Sequence, residues 1–164
     1  MLETSSARGR RGGGSPAQPV DDKPVVIETR FGSLEFGPDN SIYMPVGPLG
    51  FADFHHFGLA DLPKPAADHF KLLQSLENHE LGFIVTELAI DDGRVTREDL
   101  EDAALSVGIP VESARFLLIV TIRALGDSTS ITANLRAPVV VDRKRLIARQ
   151  VVMANSSYPI QMPL

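Results

Sequence analysis

Catalysis by side chains needs polar groups that converge on one point, with at least one of them activated. The histidines are the most versatile candidates here: His55, His56, His69 and His79. His55 and His56 are consecutive in a stretch that reads as a strand. Their rings therefore point to opposite faces and cannot grip one metal ion together. The chain has no H-E-x-x-H pair, no G-x-S-x-G elbow, no P-loop and no strand-linked G-x-G-x-x-G, so the usual zincin, serine-hydrolase and nucleotide signatures are missing. Gly9, Gly12, Gly13 and Gly14 precede no helical pattern and so lack the context of a phosphate cradle. Asp91-Asp92-Gly93 lacks the acidic spacing and the distal glutamate of a calcium loop. All of these read as turn or surface positions, and no catalytic residue, metal site or cofactor is expected.

Other residues are better suited to recognition. Pro45-Val46-Gly47-Pro48-Leu49-Gly50 is an irregular loop that ends in Phe51. Loops held on rigid strands often carry binding function, although a structural turn anchored by Phe51 would have the same composition. Glu98, Asp99, Glu101 and Asp102 crowd one helical segment, with Glu87, Asp91 and Asp92 nearby in sequence. Such a face either steers a basic partner or is simply solvated.

The elements that must position these residues follow from periodicity. Val25, Ile27, Thr29 and Phe31 alternate with polar or solvent-side positions, then Gly32 turns the chain, and Leu34 and Phe36 resume the alternation. This predicts a hairpin. Further strands are expected at residues 42–44, 55–60, 70–76, 81–88, 116–122, 131–135, 139–141 and 146–153. Phe51 and Phe54, three apart, suit one helical turn, and residues 61–68 read as a loop. Thr96 is an N-cap with Glu98 and Asp99 in the first turn, and Leu100, Ala103, Ala104 and Val107 lie at helical spacing. Gly108 fits the C′ position and Pro110 stops the helix. Residues 116–122, apolar on both faces, are expected to form a central buried strand. The fold class is therefore mainly β: an antiparallel, barrel-like single domain over residues 23–164, with one α-helix.

Composition sets the remaining bounds. The chain has 164 residues, no cysteine and a net charge of −5. Disulfides and thiolate metal sites are excluded. Residues 1–22 are rich in Gly, Ser and Arg and have little to bury, so they read as a disordered basic tail. The rest of the chain carries the acidic excess, which repels a phosphate backbone and disfavours direct nucleic-acid binding. An RNA-binding barrel that uses the Arg/Gly tail is the competing reading. No apolar stretch approaches the roughly 20 residues that span a bilayer, and no signal sequence is evident. A cytoplasmic protein that contacts no membrane is expected.

Taken in order, several motifs resemble the FliW family of flagellar assembly factors. They are Glu28-Thr29-Arg30-Phe31-Gly32 with Leu34-Glu35; Pro45, Gly47, Leu49-Gly50-Phe51 with Phe54, Phe57 and Leu59; and Leu73-Gln74-Ser75-Leu76 with Phe83 and Val85. Val120-Thr121-Ile122, Asn134 through Val141, Gln150-Val151-Val152 and Tyr158 complete the set. The first loop departs from the family in the placement of its second proline, and Glu87-Leu88 stands where the family has Asp-Pro. The resemblance implies a compact β-barrel and a cytosolic protein that binds flagellin before export. It further implies that the freed protein binds the translational regulator CsrA and antagonises it, coupling flagellin export to synthesis. Gln74, Asn134 and Gln150 match family positions within strands; they offer hydrogen bonds to a partner's backbone or pair neighbouring loops. Tyr158 suits a docking groove, with Leu49 and Phe51 supplying apolar contacts.

Overall fold

Alternation in the chain becomes strand, and the strands close on themselves. The computed structural model describes residues 23–63 and 69–164. The expected tail at 1–22 and part of the 61–68 loop lie outside the described residues. Strands β1 (Val25–Thr29) and β2 (Gly32–Phe36) form the expected hairpin. The first strand stops two residues early: Arg30 and Phe31 make the turn, and Gly32 opens β2 at φ 105°. Thr29 decides this, because its hydroxyl donates to the Gly32 carbonyl and accepts from the Phe31 amide.

The barrel strands are β3 (Ser41–Tyr43), β4 (His56–Asp61), β5 (Phe70–Ser75), β6 (Gly82–Leu88), β7 (Ala114–Leu125), β9 (Val139–Asp142) and β10 (Ile147–Gln150). Each bonds the next in that order, and β10 returns to β3. The pairings are antiparallel except at the closing seam, where β10 meets β3 in parallel at Ile147↔Tyr43. Strand β8 (Ser128–Ala133) extends the wall from β7, and β11 (Met162–Pro163), which periodicity did not predict, adds to its edge. The long β7 serves both parts: Ala114–Leu117 pairs with β9, and Val120–Leu125 with β8.

Two cores explain why so many strands are apolar on both faces. Ile42, Met44, Phe57, Leu73, Val85, Leu117 and Val139 fill the barrel interior. Phe70, Ile84, Phe116 and Leu118 face outward, beneath α1 (Arg97–Ser106) and the C-terminal segment. Each such fully buried side chain contributes about 1.5–3 kcal/mol. The outer cover ends at Val120. Thr121 and Ile122 belong to β7, yet Ile122 is 46% exposed, because pairing with β6 stops at Ile84↔Val120 and only β8 accompanies the strand further. The expected central burial of 116–122 is thus confined to its first five residues.

The helix forms as its caps dictate. The Thr96 hydroxyl accepts from the Asp99 amide at 3.2 Å. At the far end Gly108, at φ 73°, lets Ile109 N donate to Ala104 O and its own amide donate to Leu105 O, a Schellman closure. Phe51 and Phe54 make a single turn and no helix, through Phe54 N donating to Phe51 O. The strand expected over 146–153 is shorter: Leu146 sits at φ 52°, and the Val151 and Met153 amides leave the ladder to bond Pro138 O and Arg136 O.

Candidate functional site

The Pro–Gly loop closes one mouth of the barrel. Its shape depends on Gly47, where a Cβ would come within 2.1 Å of the Phe51 carbonyl oxygen and 2.4 Å of the Phe54 carbonyl oxygen. The Gly47 amide donates to Ala52 O, and the Phe51 amide to Pro48 O. Gln150, at the end of β10, ties the loop down: its Oε1 accepts from the Leu49 amide at 2.8 Å, and its Nε2 donates to Ala137 O at 3.0 Å.

Held this way, the loop turns its apolar side chains outward. Leu49 is 58% exposed and Phe51 38%, with Val46 beside them in the chain. The Phe51 ring packs edge-on against Phe83 of β6, with centroids 5.6 Å apart, and lies 6.5 Å from Phe54. Phe54, Leu81, Phe83 and Ile119 back this surface from the barrel core. Phe83 is the member that periodicity did not single out. It is a half-buried platform for an exposed ring.

The other three candidate residues spend their polar groups on hydrogen bonds within the chain, Gln74 and Tyr158 buried and Asn134 half-buried. Gln74 is 2% exposed, and the two N–H groups of its Nε2 are shared among the Ser75, His79 and Leu81 carbonyls, fixing the β5–β6 turn. Asn134 Oδ1 accepts from the Arg136 and Ala137 amides. Tyr158 is 8% exposed; its hydroxyl donates to the Asp99 carboxylate and accepts from the Thr96 amide. Arg136 completes that arrangement by donating to the Tyr158 and Ser156 carbonyls.

The acidic stretch is partly committed inside the fold. Asp99 is held by Tyr158, Glu101 lies 3.7 Å from Arg97, and Asp92 pairs with Arg94 at 2.6 Å. The deepest charge is Asp142. Burial pushes its pKa up, but the Arg145 guanidinium, the Arg145 and Lys144 amides and the Ser113 hydroxyl outweigh that and hold it at about 2. Among the described residues no group of three His, Asp or Glu side chains is placed to hold a metal ion.

A model of the FliW family, described as FliW protein, matches residues 25–164. The chain belongs to the FliW family. The flagellar assembly factor FliW of Thermoanaerobacter pseudethanolicus is 31% identical over 85% of this chain and 93% of its own length. That of Bdellovibrio bacteriovorus is 34% identical over 85% and 78%, and that of Bacillus pumilus 33% over 82% and 92%. The crystal structure of a flagellar assembly factor FliW superposes with a TM-score of 0.63 at 23% identity, covering 85% of this chain and 96% of the other. That likeness supports the FliW barrel described above.

Proposed function

We propose that this FliW-family protein is a flagellar assembly factor that binds flagellin in the cytoplasm, and that the free protein binds and antagonises CsrA. It works by binding and not by catalysis. The observation that carries this reading is the preorganised apolar loop: Leu49 and Phe51 stand outward on a barrel mouth, fixed by Gln150 and Phe83. Aromatic anchors on a rigid base dominate many protein interfaces, and rigidity reduces the entropy lost on binding. A flagellin end segment that orders on docking loses about 2–5 kcal/mol of its gross interaction, so a firm apolar anchor is required. In this reading Leu49 and Phe51 touch the partner and Gln150 positions them. Gln74, Asn134 and Tyr158 hold the surrounding turns. The net charge of −5 favours protein partners over RNA. Among the described residues no helix is long and apolar enough to cross a membrane.

Calorimetric titration of purified flagellin tests the reading. The wild type should bind, and Phe51→Ser should weaken binding at least about tenfold with its fold intact by circular dichroism. No heat and no co-elution with the wild type at about 10–50 µM would defeat the proposal. CsrA titrated separately should bind the free protein and fail to bind the flagellin-saturated one.

A further inference from the structure

The barrel end opposite the Pro–Gly loop is open, and a cleft of about 470 Å³ lies there. That volume is in the range of small-ligand sites, and barrel mouths are a recurrent location for them. Ile42, Leu59, Val141 and Leu146 give it aliphatic walls. Lys71, Arg115 and Arg143 stand around it, opposed by Asp39 and Asp61.

These cations already hold one carboxylate of the protein itself. Arg115 donates to Glu87 through Nε at 3.0 Å and a terminal nitrogen at 2.6 Å. The Arg115 hydrogen bonds, against the opposing effect of burial and with added attraction from Arg115, Lys71 and Arg143, keep Glu87 below the usual carboxylate range. Donors remain to spare. A guanidinium carries five N–H groups and an ammonium three. Arg115 places two on Glu87, Lys71 one on Asp61 at 2.5 Å, and Arg143 makes no ion pair among the described residues. The Arg143 backbone is nonetheless fixed, its amide donating to Ser113 O at 2.9 Å.

We infer that this open mouth binds a carboxylate carried on a short aliphatic chain. The aliphatic part packs against Ile42, Leu59 and Val141, and the carboxylate takes Arg143 and the spare donors of Arg115 and Lys71. Asp39, which makes no ion pair among the described residues, is the repulsive element that limits affinity. A free aliphatic acid and a polypeptide end with an aliphatic last residue share this chemistry.

Methyl-resolved NMR on the full chain tests it, with isocaproate as probe. Isocaproate should shift the Ile42, Leu59 and Val141 methyls with an affinity on the order of 1 mM, and isocaproamide should not. Arg143→Gln should weaken the acid about tenfold, the usual loss for a charge-assisted hydrogen bond, and Asp39→Asn should tighten it. Both positions are exposed, and an unchanged thermal midpoint confirms the fold. Three results would each overturn the inference: no shifts up to about 10 mM acid, equal shifts with the amide, or unchanged affinity in Arg143→Gln. A leucine-ended tetrapeptide separates the sources. Binding tighter than isocaproate and lost on amidation assigns a chain end; binding weaker than isocaproate assigns a free acid.

Discussion

The Gln150 side chain accepts a hydrogen bond from the Leu49 amide at 2.8 Å across 101 residues of chain, and with its other end it donates to Ala137. One amide group thereby sets the height of the exposed loop above the barrel mouth. Gln150→Ala should free that loop. The expected losses are about 1 kcal/mol of stability and, under the proposed function, a several-fold weaker flagellin interaction. Urea unfolding and calorimetry measure the two, and an unchanged affinity would show that the loop needs no such tether.

Tyr158→Phe should separate packing from hydrogen bonding at the helix start. The ring stays, but the Thr96 amide and the Asp99 carboxylate lose their shared hydroxyl partner. A destabilisation of about 1–3 kcal/mol is expected, with the proposed flagellin affinity unchanged because the residue is buried. A large drop in affinity without loss of stability would instead place Tyr158 at the interface.

Gly58→Ala should lift the β1–β2 hairpin. A Cβ at Gly58 would lie within 2.0 Å of the Phe36 ring, and Phe36 is among the largest fully buried side chains. Overpacking of this kind costs about 1–3 kcal/mol. Hydrogen exchange should show faster amides in β1 and β2 than in β5 and β6; uniform protection would contradict the placement.

Asp142 gives the fold an acid-side dependence of known sign. Its folded pKa of about 2 lies below the ordinary aspartate value of 3.8, so its contribution is fully present above about pH 4 and is lost as pH falls through 2. The difference in stability between wild type and Asp142→Asn should therefore shrink by about 2 kcal/mol between pH 5 and pH 2. Denaturation midpoints across that interval test it, and a pH-independent difference would rule it out.

Much of the fold was legible residue by residue. Thr96, Gly108 and Pro110 mark a helix whose caps form as written, because a cap is a contact between near neighbours. The β5–β6 ladder follows from the neighbouring strands expected at 70–76 and 81–88, joined by a short turn, for the same local reason. Errors appeared where a distant element decides. Whether Ile122 is buried depends on how far β6 and α1 reach along β7, and the length of β10 depends on the Val151 and Met153 amides finding Pro138 and Arg136.

The candidate site divides along the same line. Composition and periodicity alone determined a mainly β chain with one helix, without thiol chemistry, with an irregular Pro–Gly loop ending in an aromatic ring. Those features rest on backbone preferences and near-neighbour contacts, which sequence spacing encodes directly. Tertiary structure alone decided that Gln150 faces Leu49, that Tyr158 turns inward to Asp99 across 59 residues, and that Lys71, Arg115 and Arg143 gather at one open mouth. Closing seven strands into a ring brings together side chains whose separation along the chain carries no trace of their meeting.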